Sequence, residues 1–506
     1  MQRLLAHTKL RTWNISDRAR YRLLECIPGV LVWCTLIAAI VLSFAAPLWA
    51  IGFIILFDLY WLIRVTYVLI YLIIGYRRYR AALRVDWVER CRALPRWRSM
   101  YHLVFYPTAN EPLDVVRATF QSLAKTHYPL DRMIVVLGTE ERTGENSRIK
   151  RETIQNEFGS VFGHLLCIEH PGDLPGEVIG KGSNLNWAGH RVKEFIDSKL
   201  HIPYDDIIVS SFDIDTQPHE QYFACLAYTY LTQPYPTRTS YQPIPLYNNN
   251  IWESPALMRV AANSTTFWLM TEQIRPERLF TFSSHSMSFR ALVDVDFWQN
   301  DIVTEDSRIF LQCLLRYDGD YRVTPIYLPV SMDTVKSHTL WRSLKNLYKQ
   351  QRRWAYGVEN FPYMAWNFSK NPLIPFRSKA RYIWNQLEGV YSWATAPILI
   401  FILGRLPLMA NKDALGSSIL AHNAPFMLQT LLTIAMVGLF ISAILSTTLL
   451  PPRPQKEKKT KFLFMLLQWA LFPITMIVFG AIPATDAQTR LMLGKYLGFW
   501  VTEKSR

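Results

Sequence analysis

The sequence has little cysteine, with only six such residues among 506. They show neither C-x-x-C spacing nor a metal-ligand pattern, which argues against a metal module. We interpret them as reduced, structural thiols of a cytoplasmic and membrane-associated chain. The six are Cys26, Cys34, Cys91, Cys167, Cys225 and Cys313.

Long hydrophobic runs are absent from residues 85–375 but present on both sides of that region. Half of the residues are hydrophobic and the formal charge is +15, which is too apolar for a purely soluble enzyme and too charged for a pure membrane bundle. Each flanking run reaches the roughly 20 residues that a bilayer-spanning helix needs. The first lacks a cleavage site and continues into the second, so it is not a signal peptide. The runs are 27–46, 48–75, 388–409, 425–450 and 462–483.

No nucleic-acid-reading motif accompanies the positive charge, and the basic residues concentrate beside the apolar runs. Basic clusters lie in residues 3–22, 77–84 and 453–461. Solvated loops would also be basic. The positive-inside rule instead predicts an integral protein of the cytoplasmic membrane, with its catalytic domain in the cytoplasm.

The central region alternates strand-like and helix-like segments, which predicts an α/β sheet. We expect strands at 101–107, 133–138, 165–170 and 206–215, and helices at 114–126 and 183–197. In open sheets of this kind, ligands bind beyond the carboxyl ends of the strands.

Two aspartates, Asp213 and Asp215, stand at such a strand end. Alternate side chains of a strand point the same way, so we expect both carboxylates to share a direction. Carboxylate oxygens suit Mg²⁺ or Mn²⁺, which are held by one or two carboxylates plus substrate phosphates. For an isolated D-x-D, a turn that closes the strand is the more common explanation.

Two further polar groupings follow along the chain. Thr304, Glu305 and Asp306 precede an amphipathic segment, where they would also serve as a helix cap. Gln350, Arg353 and Trp354 share one helical face and suit a diphosphate and a sugar ring. An interfacial helix with a Trp anchor and a snorkelling Arg explains that second grouping equally well.

Together these motifs, in this order, resemble processive family 2 glycosyltransferases, the cellulose, chitin and hyaluronan synthases. The resemblance extends from PTANEP (107–112) through GKGSNLN (180–186) to FWVTEK (499–504), which is similar to the gating loop of cellulose synthases. It implies an α/β domain of GT-A type, in the cytoplasm, inserted between N- and C-terminal transmembrane helices, with amphipathic interface helices. The implied divisions are 1–84, with two transmembrane helices; 85–337, the glycosyltransferase domain; 338–387, interface helices; 388–485, transmembrane; and 486–506, an amphipathic helix with the gating segment.

The resemblance also implies roles for individual residues. Asp306 would be the general base, oriented by Glu305 and Thr304. Asp213 and Asp215 would bind the donor diphosphate and its Mg²⁺ or Mn²⁺, with Asp215 the more direct ligand. The remaining donor-binding residues would be Lys181, Asn110, Glu111 and Glu140. The diphosphate and the acceptor would be bound by Gln350, Arg353 and Trp354. The loaded site would be covered by Phe499, Val501, Thr502 and Lys504.

The sequence departs from the family after the second strand, where VVLGTEER (135–142) replaces an aspartate-rich turn. Glu140 is the candidate there, and a UDP-sugar is the donor only by default. Five crossings would also leave FWVTEK outside, away from a cytoplasmic site. Because Pro473 divides the last run, we expect that run to be re-entrant or interfacial, with a plain crossing as the alternative.

Three hypotheses of function remain. The first is an inverting, membrane-integrated synthase that extends a β-linked polysaccharide and translocates it. The second is a non-processive enzyme that acts on a lipid-linked acceptor. The third is a transporter or scaffold without catalysis, which would have no reason to keep Asp213, Asp215, Asp306 and Arg353 together. Membrane lipids are expected partners, and nucleic acid is not.

Overall fold

The computed structural model describes residues 14–410 and 419–498, where an α/β domain is followed and preceded by long helices. The strands are β1 (Tyr101–Pro107), β2 (Met133–Glu140), β3 (His164–His170), β4 (Ile207–Ser211), β5 (Gln217–Pro218), β6 (Thr239–Tyr247), β7 (His285–Ser288) and β8 (Arg322–Met332).

The helices follow in chain order. They are α1 (Ile15–Ala45), α2 (Pro47–Ala82), α3 (Trp87–Arg92), α4 (Leu113–Leu123), α5 (Glu145–Phe158), α6 (Lys181–Phe195), α7 (Tyr222–Thr232), α8 (Ala256–Glu272), α9 (Phe289–Asp294), α10 (Glu305–Arg316), α11 (Leu340–Ala355), α12 (Asn360–Lys370), α13 (Phe376–Phe401), α14 (Leu406–Ala410), α15 (Ile419–Thr448), α16 (Lys461–Leu467), α17 (Phe472–Met476) and α18 (Ile482–Met492).

All the strands form one sheet in the order β3-β2-β1-β4-β7-β6-β8-β5. The β3-β2-β1-β4 half is parallel, and β7 pairs antiparallel with both β4 and β6. Parallel strands have helices on both faces, so they are apolar throughout, as β2 is from Met133 to Leu137. The carboxyl ends of β1, β2 and β4 therefore meet at one edge.

Two hydrophobic layers enclose the sheet. Leu103 and Phe105 of β1 pack with α6 and α10, whereas Val104 and Tyr106 pack with α4 and α7 on the other face. This alternation follows from the two-residue period of a strand. The layers fix the strand ends and the helix starts that carry the polar motifs.

The predicted strand at 101–107 is confirmed, and the one at 133–138 extends to Glu140. The strand predicted at 206–215 ends at Ser211 instead, because the amide of Thr216 donates to the carbonyl of Asp213 and closes a turn. Asp213 and Asp215 therefore lie after the strand and not in it. The prediction that strand alternation gives their side chains a shared direction is wrong, because it assumed that both belong to the strand.

Long apolar helices lie near both ends of the chain. Within the described residues, Ile15–Ala45, Pro47–Ala82, Ile419–Thr448 and the broken helix Lys461–Met492 are long and apolar enough to cross a membrane. The pair α13 and α14 also qualifies if its 47° bend lies within one span. The polar residue Arg64 of α2 forms an ion pair with Glu388 of α13.

Aromatic residues of the predicted interface region 338–387 divide into two groups. Trp341 and Trp384 are 76% and 67% exposed, as anchors would be. Phe361, Tyr363 and Trp366 are buried, because α12 packs into the hydrophobic layer beside α10. These three rings therefore do not face lipid.

The last apolar segment packs along the α/β domain rather than away from it. Near its start, the Nε of Arg259 on α8 donates to the Oε1 of Gln468 at 2.7 Å. Near its end, the Nη1 of Arg352 on α11 lies 2.8 Å from the Oδ2 of Asp486 on α18. The start of Lys461–Met492 thus contacts α8 of the α/β domain, and its end contacts the interface helix α11.

Candidate active site

Lys181 joins two of the sequence motifs. It is the first residue of α6, and its side chain is 8% exposed. Its Nζ lies 2.8 Å from the Oδ1 of Asp213 and 2.9 and 3.0 Å from the two carboxylate oxygens of Asp306. Glu305 lies 4.0 Å from the same ammonium. Acids that are some ninety residues apart in sequence therefore share one cation.

The segment with Thr304, Glu305 and Asp306 begins α10, but Thr304 does not cap it through its side chain. The hydroxyl of Thr304 instead donates to Glu359, in the turn that follows α11. Glu305 and Asp306 occupy the first helical turn, where the helix dipole stabilises negative charge. Capping alone thus does not account for the motif.

The first turns of α6 and α10 are in direct contact. A Cβ placed on Gly182 would lie 3.1 Å from the Cβ of Glu305 and 2.9 Å from the carbonyl oxygen of Gln299. Glycine at this position allows Lys181 to approach Asp306.

The pKa values of two titratable groups beside Asp306 are shifted from their ordinary values. Burial and the charge of Asp306 raise the pKa of Glu305 to about 8, although Lys181 and Arg353 oppose that rise. Burial lowers the pKa of His285 to about 4. The Nδ1 of His285 lies 3.0 Å from the carbonyl oxygen of Phe282 and 3.7 Å from the Oδ1 of Asp306. At neutral pH, Glu305 is largely protonated and His285 is uncharged.

The aspartates of the D-x-D motif occupy different environments. The Oδ2 of Asp213 accepts a hydrogen bond from the hydroxyl of Ser283 at 2.6 Å, and its side chain is 27% exposed. Asp215 is fully buried, and its Oδ2 accepts from the backbone amide of Asp333 at 2.8 Å. Asp213 is therefore the more accessible of the two.

The motif with Gln350, Arg353 and Trp354 lies at the end of α11. The rings of Trp354 and Tyr247 have their centroids 6.0 Å apart. Gln350 and Trp354 line a cavity between α8 and α11, together with Tyr247 and Thr265. Aromatic faces beside amide and hydroxyl groups are suited to sugar rings.

The electrostatics of Tyr247 indicate that these motifs converge. Desolvation raises the pKa of its hydroxyl, and Asp213, Asp215 and Asp306 raise it further, whereas Arg353 lowers it. Tyr247 thus lies within electrostatic range of all four charged residues that the sequence motifs supply.

Asn110 and Glu111 follow β1, at the same sheet edge. The Oε2 of Glu111 accepts from the hydroxyl of Thr108 and the amide of Ala109, so it closes this loop, and Asn110 is exposed. The ammonium of Lys150 donates to the carbonyl of Ala109 at 2.7 Å.

Glu140 ends β2 but does not join the group around Lys181. Its carboxylate accepts from Asn184 at 2.9 Å and lies within ion-pair distance of His170 and Arg142. It is 4% exposed. A direct contact with the donor would require these partners to move. Phe499, Val501, Thr502 and Lys504 lie outside the described residues.

A divalent ion would have to share ligands with a substrate. Within residues 14–410 and 419–498, no group of three or more His, Cys, Asp or Glu side chains is arranged to hold a metal. Asp213 and Asp215 nevertheless supply the hard oxygen atoms that Mg²⁺ and Mn²⁺ prefer, with substrate phosphates completing the shell. Asp213, whose side chain is 27% exposed, fits that shared arrangement, whereas the fully buried Asp215 would need access to the site to bind the ion directly.

The sequence motifs did not include several residues that border the site. Ser283 and His285 lie in an unremarkable SSHS stretch, and Tyr247 ends a strand. Only the position of Tyr247 at a strand end was a usable signal, because ligands gather there.

The model of glycosyl transferase family group 2 matches residues 208–482, more than half of the chain. The chain belongs to this family and is a glycosyltransferase with a GT-A-like α/β domain. No curated protein matches it in sequence.

Two solved structures are similar to the chain. One is the mannosyltransferase PcManGT from Pyrobaculum calidifontis in complex with GDP-Man and Mn²⁺, with 15% identity, a TM-score of 0.44, and coverage of 80% of this chain and 99% of that one. The other is S. aureus TarS 1-349 in complex with UDP-GlcNAc, with 10% identity, a TM-score of 0.37, and coverage of 78% and 93%.

Proposed function

We propose that this glycosyltransferase is membrane-integrated and inverting, and that it transfers sugar from a nucleotide-sugar donor to the end of a growing β-linked polysaccharide, which it translocates. The observation that carries the proposal is the pair of contacts that Lys181 makes with Asp213 and Asp306. They join the expected diphosphate-binding acid to the expected base. A scaffold or transporter gains nothing from this buried arrangement.

The roles of the residues follow from their charges. Asp306 takes the proton of the acceptor hydroxyl as that oxygen attacks the anomeric carbon. Glu305, largely protonated at neutral pH, adds little charge next to Asp306, and Thr304 fixes the start of α10 through Glu359. Lys181 and Arg353 offset negative charge on the donor diphosphate. A bound Mg²⁺ or Mn²⁺ would take up further charge on the leaving diphosphate.

The acceptor end is assigned to the wall made by Trp354 and Tyr247. A sugar ring stacks on aromatic faces, while Gln350 and Thr265 offer polar partners to its hydroxyls. Asn110 and Glu111, after β1, and Asp215, behind Asp213, complete the donor side. Direct attack by the acceptor, with no covalent enzyme intermediate, inverts an α-linked donor to a β-linked product.

The last described residues of the chain pack beside the segment that carries Thr304. Tyr496 and Leu497 pack against the hydrophobic cluster that contains Val303 and Tyr356. Val303 directly precedes Thr304. From the resemblance alone, Phe499, Val501, Thr502 and Lys504, which follow in sequence, are proposed to cover the loaded site.

Transfer of a single sugar to a lipid-linked acceptor is the alternative. It uses the same donor site, and the exposed Trp341 and Trp384 would hold the domain at the lipid surface in either case. The two functions differ in product size, because only a processive enzyme keeps its product while it adds further sugars.

The test is turnover by the purified protein in nanodiscs with a panel of nucleotide sugars, UDP-sugars first, plus Mg²⁺ or Mn²⁺. Release of nucleoside diphosphate together with a long polymer supports the proposal. Release with addition of one sugar to a lipid favours the alternative. No diphosphate release from any donor in the panel contradicts both.

A further inference from the structure

A buried ionic cluster lies at the carboxyl ends of β2 and β3, outside the group around Lys181. His170, the last residue of β3, is its centre, and the imidazole is 7% exposed. Its Nδ1 lies 3.3 Å from the Oε2 of Glu140, and its Nε2 lies 2.9 Å from the Oε2 of Glu177. One imidazole thus connects two carboxylates from different parts of the chain.

Both carboxylates have further partners. The Oε1 of Glu140 accepts from the amide of Asn184 at 2.9 Å. The Oε1 of Glu177 accepts from the amide of Asn300 at 2.8 Å. Buried charges are tolerated when each is paired and hydrogen-bonded, as these are.

The segments that meet here are those that deliver the reacting groups. Glu177 lies three residues before Gly180, and Asn184 lies three residues after Lys181. Asn300 belongs to the segment that leads to Thr304, and its carbonyl accepts from the amide of Val178 at 2.9 Å. Displacement of this cluster would therefore move the start of α6 relative to α10.

We propose that His170, as an imidazolium held between Glu140 and Glu177, is a positioning residue that fixes residues 171–180, and hence Lys181, for binding of the donor diphosphate. The inference rests on the proposed function, because it assigns a role within that donor site. The proposal also gives Glu140 a role, because its carboxylate holds the imidazolium of His170 and so supports the donor site indirectly.

The protonation of His170 gives the arrangement a pH dependence. Four charged groups face this region: Glu140 on β2, Glu141 and Arg142 in the turn after it, and Glu177. Burial lowers the pKa of His170, but the hydrogen bonds and charges of Glu140 and Glu177 outweigh burial and raise it to about 9. Because the pKa of His170 is raised, the imidazolium and its ion pairs with Glu140 and Glu177 are present below about pH 9 and lost above it.

The experiment measures binding of UDP, and of GDP in a parallel series, with Mg²⁺ in nanodiscs from pH 7.5 to 10 by titration calorimetry. We expect wild-type affinity to fall as pH rises through about 9. The His170→Gln variant should bind about tenfold more weakly at pH 7.5, since hydrogen bonds to charged groups are lost. It should also lose the fall in affinity centred near pH 9 and keep only the dependence due to Glu305, whose pKa is about 8. Turnover at saturating donor should change much less than KM for the donor.

Two further variants make the result specific. Glu177→Gln keeps an oxygen for Asn300 and leaves the His170–Glu140 contact, so it should fold, weaken binding and lower the pH midpoint. His164→Gln changes the histidine at the other end of β3, whose ring contacts Phe195, and should behave as wild type.

The possible outcomes separate the two proposals. Wild-type affinity and pH profile in both His170→Gln and Glu177→Gln would overturn the positioning role. A wild type that binds nucleotide with no change up to pH 10 would do the same while leaving the proposed function intact. A wild type that binds neither nucleotide would overturn the donor site itself.

Discussion

The ammonium of Lys181 lies 2.9 Å from the Oδ1 of Asp306, although 124 residues of chain separate the two in sequence. The contact depends on the glycine at 182, which lets the first turns of α6 and α10 approach each other. The two contacts with the buried ammonium hold the carboxylate of Asp306 in one orientation before the acceptor arrives. The predictions below begin from this pair.

Replacing Asp306 by Asn should abolish transfer, with a rate loss of roughly 10²–10⁴-fold, because the amide cannot accept the acceptor's proton. Nucleotide binding should remain, since Asn keeps an oxygen near Lys181. Polymer yield and calorimetric nucleotide affinity measure the two effects. Asp320→Asn, at an exposed position after α10, serves as the control. Wild-type turnover in Asp306→Asn would show that the base is elsewhere.

The substitution Asp215→Asn should weaken Mn²⁺-dependent nucleotide binding, because a charged ligand is lost. Asn retains an oxygen that can accept from the amide of Asp333, so the turn itself should persist. Nucleotide titrations with and without Mn²⁺ provide the measurement, and Asp213→Asn should act in the same direction. An unchanged metal requirement in both variants would contradict the assignment.

The variant Trp354→Leu should raise KM for the acceptor about tenfold or less, since ring contacts contribute about 0.5–1.5 kcal/mol. Donor affinity should change little, because the indole packs against Tyr247 rather than the aspartates. Initial rates with varied acceptor and varied donor distinguish the two constants. Trp341→Leu, on the exposed face of α11, is the matched control. Equal losses for donor and acceptor would indicate a purely structural indole.

The substitution Glu305→Gln should change how stability depends on pH. In the unfolded chain Glu305 loses its proton near pH 4.3, whereas burial and Asp306 keep it protonated up to about pH 8 in the folded protein. Wild-type stability should therefore fall as pH rises from about 5 to 8, and the neutral amide should reduce that fall. Thermal unfolding midpoints across this range measure it. The exposed Glu194→Gln should follow wild type, and identical slopes in all three proteins would refute the shift.

Single cysteines in a cysteine-free background should report the topology of the last apolar segment. Lys459→Cys and Lys495→Cys flank it and are exposed. Both should react with a membrane-impermeant maleimide from the same side, whereas Leu48→Cys, in the first turn of α2, should react from the other side. Reaction of Lys459→Cys and Lys495→Cys from opposite sides would establish a plain crossing.

Much of the first half of the α/β domain could be predicted from the sequence. Apolar runs such as 101–107 have a clear strand pattern, and their positions gave the order of strands and helices along the chain. The early end of β4 at Ser211 could not, since a turn after Asp213 replaces ladder bonds that the pattern alone does not reveal. Likewise, the burial of Tyr363 depends on α12 packing against α10. Aromatic content near a span is compatible with either environment.

The motif residues of the site were accessible to sequence reasoning, because each lies at a strand end or helix start with a recognisable neighbour. The contacts between these residues could not be predicted from the sequence. The Lys181–Asp306 contact and the ion pairs of His170 with Glu140 and Glu177 join segments that are far apart in the chain. The sequence around one partner of such a contact does not indicate which residue the other partner is. Ser283 and His285 were missed for the same reason.

The direct contact of Gly182 with Glu305 has a consequence for engineering. Neither α6 nor α10 can be repositioned alone, so residues 180–186 and 304–306 form a fixed catalytic block that tolerates little redesign. Altered sugar preference must then come from the periphery of that block. A mutagenesis library directed at the α8 wall near Thr265 would explore new substrates while leaving residues 180–186 and 304–306 unchanged.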